Sequence, residues 1–263
     1  MSDSSVTTAA SIDASELEQK VKDMYRDVAL DPHGDYHFEM GRQLAERLGY
    51  SPKDLDRIPP ESIESFAGVG YYFSVADIRE GEHVIDFGSG SGMDTFVAAL
   101  KVGMEGTVVG IDMTDEQLAK SRRLAEETGV SNVSYLKAYL EDVPCDNESF
   151  DVVISNGVFN LAADKGKVFQ EVARVLKKGG RLALSDIVSE QQLPNGITCN
   201  TTYWAACIGG AMQIDDYRAA IEEAGLRVTT LRDNPQYQFI SADAQGATKQ
   251  YGVKSVTAVA EKV

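Results

Sequence analysis

From Val84 onward the chain alternates short β-branched runs with helical stretches, an order that few architectures accept. The runs are VIDF (84–87), TVVGID (107–112), VSYLKA (133–138), DVVIS (151–155) and RLALSDIV (181–188). Between them, apolar spacing predicts helices over Met93 to Lys101, Thr114 to Thr128 and Asp164 to Leu176, the last ended by KKGG. Thr114 is the expected N-cap of the second helix, with Gln117 completing a capping box. Strands separated by helices imply crossover connections, hence a parallel sheet with both faces covered. A helix over Tyr217 to Ala224 leads to LRVTTL, and YGVKSVTAVA (251–260) closes the chain as a last strand.

The N-terminal part reads differently. Residues 1–13 are rich in Ser, Thr and Ala with no apolar period, a tail that buries nothing. Leu17, Val21, Met24 and Val28 have helical spacing over Ser15 to Ala29, with Ser15 as N-cap and Asp31-Pro32 as the stop. A second helix fits Phe38 to Leu48, followed by the Pro- and Gly-punctuated connector SPKDLDRIPPESIESFAGVGYYF. The expected division is a tail (1–13), a helical cap (14–75) and a core (76–263) with a substrate-side insertion at about 190–216.

Composition narrows the partners. In 263 residues, 25 basic and 41 acidic side chains leave a formal charge of −16, so a phosphate backbone would be repelled. Nucleic acid is therefore not an expected partner. Three cysteines in a chain of this size argue for a reducing compartment. The start lacks a basic and apolar leader and no apolar run spans a bilayer, so the expectation is a soluble, cytoplasmic protein with no membrane partner.

The string VIDFGSGSG carries the chemistry. A strand ends in Asp86 and runs into Gly88, Ser89, Gly90 and Gly92 before a helix, where glycines let backbone approach a ligand closely. Asp112 ends the next strand, 20 residues beyond Gly92, a spacing suited to holding a ribose diol. A dinucleotide or S-adenosylmethionine would use such a series. Dinucleotide loops want GxGxxG, whereas this loop is GxGxG with an acid two positions before its first glycine. Asp86 would repel pyrophosphate and attract a methionine ammonium, so S-adenosyl-L-methionine is the expected cofactor and S-adenosyl-L-homocysteine its product.

These motifs resemble those of the Rossmann-like, seven-stranded α/β class I methyltransferases. The resemblance implies that Asp86, Gly88, Ser89 and Gly90 line the methionine end, Asp112 the ribose and Met113 one adenine face. It places Leu140 and Glu141 of YLEDVP near the adenine, and Ser155 and Asn156 beside the transferring methyl. Strand four reads ISNGVFN, without the Asn-Pro-Pro-aromatic pattern of nucleic-acid amino methyltransferases. All three histidines, His33, His37 and His83, precede the glycine loop. DPHGDYHFE interleaves two of them with acids, but no HExxH or Cys spacing supports a metal, and none is expected. His83 reads as a strand-edge residue.

The stretch ISNGVFNLAADKGKVFQEVARVLKKGGRLALSDIV, YWAACIGGAMQIDDYRAAIEEAGL after it and LGYSPKDLDRIPPES before it resemble the arsenite methyltransferase family. Soft thiolates would hold a trivalent arsenical whose lone pair attacks methyl without a base. Cys207 in ACIGGA falls on a family cysteine position, whereas the resemblance puts Gly157, after SN on strand four, and Tyr71, in GVGYYF where the family has a Gly-Cys-Gly turn, at positions where the family carries cysteine. Cys199 would supply a second thiol from a loop; on one continuous helix the pair would be ~12 Å apart. The resemblance makes Asn156, Cys207 and Cys199 the catalytic candidates. Cys145, in the turn VPCDNES, reads as incidental.

Alternatives stay open. Buried thiols also serve as ordinary core filling. Trp204, Tyr203, Phe159, Tyr71 and Tyr72 could wall a pocket for a small organic acceptor. A non-catalytic module binding S-adenosylmethionine or a metalloid is the reading from another class, and an NAD-linked dehydrogenase is the least favoured. The expected substrate is a small molecule or metalloid.

Overall fold

A computed structural model describes residues 14–198, 203 and 208–263. The cap begins with α1 (Ala14–Leu30), α2 (Arg42–Leu48), α3 (Pro52–Leu55), α4 (Pro60–Glu64) and α5 (Phe73–Ala76). The sheet region follows as β1 (His83–Phe87), α6 (Met93–Val102), β2 (Thr107–Asp112), α7 (Asp115–Thr128), β3 (Val133–Lys137), β4 (Phe150–Asn156), α8 (Lys165–Val175) and β5 (Leu176–Ser189). It ends with α9 (Asn195–Thr198), β6 (Met212–Gln213), α10 (Ile214–Glu223), β7 (Leu226–Asp233), α11 (Ala242–Tyr251) and β8 (Lys254–Lys262). Among the described residues no helix is long and apolar enough to cross a membrane.

The sheet runs β3-β2-β1-β4-β5-β8-β7, with the two-residue β6 on β5 as an eighth strand. β1 to β5 are mutually parallel, and β8 is antiparallel to both β5 and β7. Chain order reverses between β1 and β4, so the loops leaving these two strands diverge and open a crevice at their carboxyl ends.

Alternation along the strands divides the core between two faces. Val84, Val108, Val152, Ile154 and Ala183 pack with α6, α7 and the cap residues Leu44 to Ala76 in one cluster. Ile85, Phe87, Val153, Leu182 and Leu184 face α8 and α10 in the other. A third cluster joins Leu17 and Val21 of α1 to Val69, Leu161, Ile187 and Ile208.

Several local expectations are corrected. α1 already includes Ala14, so Ser15 lies inside its first turn. α2 starts at Arg42 rather than Phe38, because Gly41 at φ 84 breaks the helical path. Thr114 precedes α7 but makes no side-chain cap. Gln117 instead donates to Tyr25 O at 2.8 Å and accepts from Ser91 Oγ at 2.5 Å, tying α1 and the glycine loop to α7. The strand expected from Tyr251 starts at Lys254, since α11 precedes it and turns through Gly252 at φ 64. KKGG lies within β5, which begins at Leu176.

Phe169 is fully buried between Phe159, with ring centroids 5.4 Å apart, and Tyr217, at 5.3 Å. Phe169→Ala removes the centre of this aromatic row, and equilibrium urea unfolding should show a loss of about 3–5 kcal/mol.

Candidate functional site

Four parallel strand ends converge on the crevice. β1 delivers Asp86, β2 Asp112 and β4 Asn156, while the loop after β3 brings Leu140 and Glu141. They line a cavity of about 510 Å³, roofed by Leu17, Glu18, Val21 and Tyr25 of α1.

The glycine loop takes its shape from positive φ, at 77° for Gly88, 52° for Gly90 and 93° for Gly92. At two of the three a side chain would also collide. A Cβ on Gly88 would lie 2.5 Å from Val158, and one on Gly92 would lie 2.4 Å from Tyr135 Oη. At Gly90 the nearest atom is Gln117 Oε1 at 3.8 Å, so a Cβ there would enter the cavity. That reserved space is what close backbone approach to a ligand requires.

Asp112 is half-buried and spoken for only in part. Its Oδ2 accepts from Gly90 N at 3.0 Å and its Oδ1 from Thr114 N at 2.8 Å. Each oxygen keeps a lone pair for a further donor. Asp86 accepts from Thr95 Oγ1 at 2.7 Å, and burial, with Asp94 nearby, holds its carboxyl well above the usual range. Ser89 Oγ is buried without a partner among the described residues.

Asp94, in the first turn of α6, lines the cavity and was not among the residues expected there from sequence. Its Oδ1 accepts from Tyr50 Oη at 2.5 Å, and its Oδ2 from Tyr72 Oη at 2.7 Å and Asn156 Nδ2 at 3.0 Å. Burial raises its pKa, opposed by those three donors. Asn156 also accepts from Val69 N at 2.8 Å and donates to Gly70 O at 3.1 Å, clamping the 68–70 loop over β4. The available signal was a carboxylate directly after the glycine loop inside the otherwise apolar helix MDTFVAALKV.

Of the residues expected at the cofactor, Asp86, Gly88, Ser89, Gly90, Asp112, Met113, Leu140 and Glu141 line the cavity, as does Asn156. Gly92 and Ser155 do not. Gly92 is packed against Tyr135, and Ser155 Oγ donates to Phe87 O at 2.8 Å inside the sheet. Cys199, Cys207 and Trp204 lie outside the described residues. The aromatic pocket is not assembled from the others: Phe159 is in the α8 core, Tyr72 is bonded to Asp94 and Tyr71 packs on Tyr50 at 4.8 Å. The residue between the two glycines of Gly-Val-Gly is Val69, not Tyr71, and it faces Gly157, whose Cβ would lie 3.2 Å from Val69 Cγ1. Cys145 is half-buried, and burial pushes its thiol up. His83 is exposed at the start of β1, its Nδ1 2.7 Å from Thr107 Oγ1.

The lining fits S-adenosylmethionine. Gly90 leaves room for it, Asp112 can accept from a diol, Asp86 suits an ammonium, and Met113 and Leu140 offer apolar surface. Asp86 binds more protons folded than unfolded, so its contribution to stability falls as pH rises from the unfolded value of about 3.9 toward its raised folded value. Asp86→Asn should therefore raise the melting temperature of the ligand-free protein at pH 7, with the gain vanishing near pH 3.5. Differential scanning fluorimetry across pH measures both.

A methyltransferase-domain family profile matches residues 78–225. An arsenite methyltransferase of Halobacterium salinarum is 34% identical over 256 residues, covering 92% of this chain and 65% of that protein. The arsenite methyltransferase of Mus musculus is 33% identical over 227 residues, 82% of this chain and 60% of that one. This chain thus spans less than two thirds of either relative's length. The crystal structure of an arsenic(III) S-adenosylmethionine methyltransferase from Chlamydomonas reinhardtii superposes with a TM-score of 0.64 at 27% identity, over 85% of this chain and 74% of that one. Strand order, loop and cavity agree with these likenesses: the chain belongs to the S-adenosylmethionine-dependent class I methyltransferases and resembles the arsenite methyltransferases among them.

Proposed function

We propose that this protein transfers a methyl group from S-adenosylmethionine to a trivalent arsenical presented by Cys207 and Cys199. The observation that carries the transferase part is the cavity at the β1–β4 reversal, lined by Asp86, Gly90, Asp112 and Asn156. The arsenic part draws on the likeness to arsenite methyltransferases.

Bound S-adenosylmethionine supplies a methyl already activated by its sulfonium sulfur. The protein's task is then to bind, orient and keep out water. In this reading Asp86 and the Gly88–Gly90 backbone hold the amino-acid end, Asp112 the ribose, and Met113, Leu140 and Glu141 the adenine. Asn156 fixes the wall at which the acceptor arrives, because Asp94 and the 69–70 backbone hold its amide at both ends. Leu17, Val21 and Tyr25 of α1 cover the cavity and exclude water. Gly92 and Ser155 shape the loop and strand behind it.

Ile197 and Ile208 on either side of the segment bearing the two cysteines, and Tyr203 within it, pack in the same apolar cluster as the cavity residues Leu17, Val21 and Leu161. That supports a thiol approach from this side. Val69 and Gly157 present no thiol, so arsenic binding would depend on Cys199 and Cys207. A trivalent arsenic keeps its lone pair when thiolates hold it, so no general base is needed.

Incubation with radiolabelled S-adenosylmethionine, excess thiol and either arsenite or methylarsonous acid should yield labelled methylarsenicals. Cys207→Ser and Cys199→Ser should each reduce the yield to background while S-adenosylhomocysteine still binds. Intact binding with no labelled arsenical in the wild type would turn the search to small organic acceptors.

A further inference from the structure

The roof helix α1 is held at its two ends in different ways. Toward its C-terminus the body takes up three backbone carbonyls: Tyr25 O accepts from Gln117 Nε2 at 2.8 Å, Val28 O from Ser65 Oγ at 3.3 Å and Ala29 O from Lys120 Nζ at 3.4 Å. Val28 itself is fully buried there. Nearer the N-terminus a fastening is made by side chains. Glu18 and Lys22 stand one turn apart and share a face, and both meet Tyr139. The Tyr139 hydroxyl donates to Glu18 Oε1 at 2.9 Å and accepts from Lys22 Nζ at 2.5 Å, and Lys22 also bonds Glu18 at 2.6 Å.

Tyr139 lies beyond the end of β3 and opens a tight turn, which Asp142 N closes on Tyr139 O at 3.2 Å. Leu140 and Glu141 are the centre of that turn, and all four residues line the cavity. A hydrogen-bonded turn of four residues moves as one piece, so whatever seats Leu140 and Glu141 also sets where the Tyr139 hydroxyl points.

We propose that Tyr139 is a positioning residue that couples the adenine side of the cavity to its roof. A ligand seated on Leu140 and Glu141 fixes the 139–142 turn, and the Tyr139 hydroxyl then latches α1 over it through Glu18 and Lys22. This rests on the methyltransferase reading and is independent of arsenic. The sheet side of the cavity cannot give way, because Ile85 and Phe87 of β1 and Val152 and Val153 of β4 are fully buried. The roof is the side that can yield to let a ligand of cofactor size in and its product out. Its carbonyl contacts near Tyr25 to Ala29 form the pivot, and the Tyr139 contact is the part that breaks. That contact is suited to breaking: Tyr139 is 42% exposed and the Glu18 side chain 43%, and charged contacts at such exposure hold weakly.

The test uses the full chain with S-adenosylhomocysteine as the probe. Tyr139→Phe keeps the ring and removes the hydroxyl, and should speed S-adenosylhomocysteine release about 3-fold in stopped-flow displacement. Lys22→Met should speed release as well, and the double variant should release no faster than Tyr139→Phe alone, since both substitutions break one latch. Hydrogen exchange read by mass spectrometry should show the amides of residues 18–22 slowing when S-adenosylhomocysteine binds, and slowing less in Tyr139→Phe. A tyrosine that only stabilised the fold would not make exchange in that one turn of α1 depend on ligand. Unchanged release in Tyr139→Phe, additive effects of the two substitutions, or equal ligand protection of 18–22 in both proteins overturns the latch while the methyltransferase reading stands. If S-adenosylhomocysteine does not bind, the methyltransferase reading falls and takes the latch with it.

Discussion

The buried carboxylate of Asp94 connects three parts of the chain that are distant in sequence. Tyr50 and Tyr72 reach it from the cap, Asn156 from the end of β4, and Asp94 itself sits in the first turn of α6, directly after the glycine loop. A charge removed from water is tolerated only when its hydrogen-bonding capacity is met, so each of these elements must hold its place for the others to fold. The helix N-terminus adds a favourable dipole. One side chain thereby sets the cap against the sheet and fixes the wall of the cavity.

The same arrangement places stability and ligand binding in opposition. Burial raises the pKa values of both Asp86 and Asp94, and the nearby Asp94 raises that of Asp86 further. A cationic ligand relieves exactly the strain that folding imposes on Asp86, which is how binding sites come to be locally destabilised in otherwise well-packed cores. The surrounding sheet supplies the rigidity: Val84, Ile85 and Phe87 of β1 are fully buried on its two faces.

Much of the fold was legible because period-2 and period-3.6 patterns survive in a single chain, and each of the seven long strands overlaps a run read from sequence. α11 escaped notice since ADAQGATKQY is polar, interrupted by Gly246, and buries only Ala244 and Ala247. The site was legible where a motif meets a strand end, as with Asp86 and Asp112. It misled where position in a motif was taken for position in space. Gly92 belongs to the loop but serves Tyr135, Ser155 precedes Asn156 but points into the sheet, and Gln117 leaves its own helix end to hold α1. In each case a tertiary partner outcompeted the local one.

By itself the sequence determined the order of strands and helices, the conformation of the glycine loop and the two acids at its strand ends, because these follow from local sterics and apolar spacing. Only the tertiary structure decided which carboxylates share the cavity, that α1 forms its roof and that Val69 meets Gly157, since those depend on hydrogen bonds and packing between segments up to about a hundred residues apart.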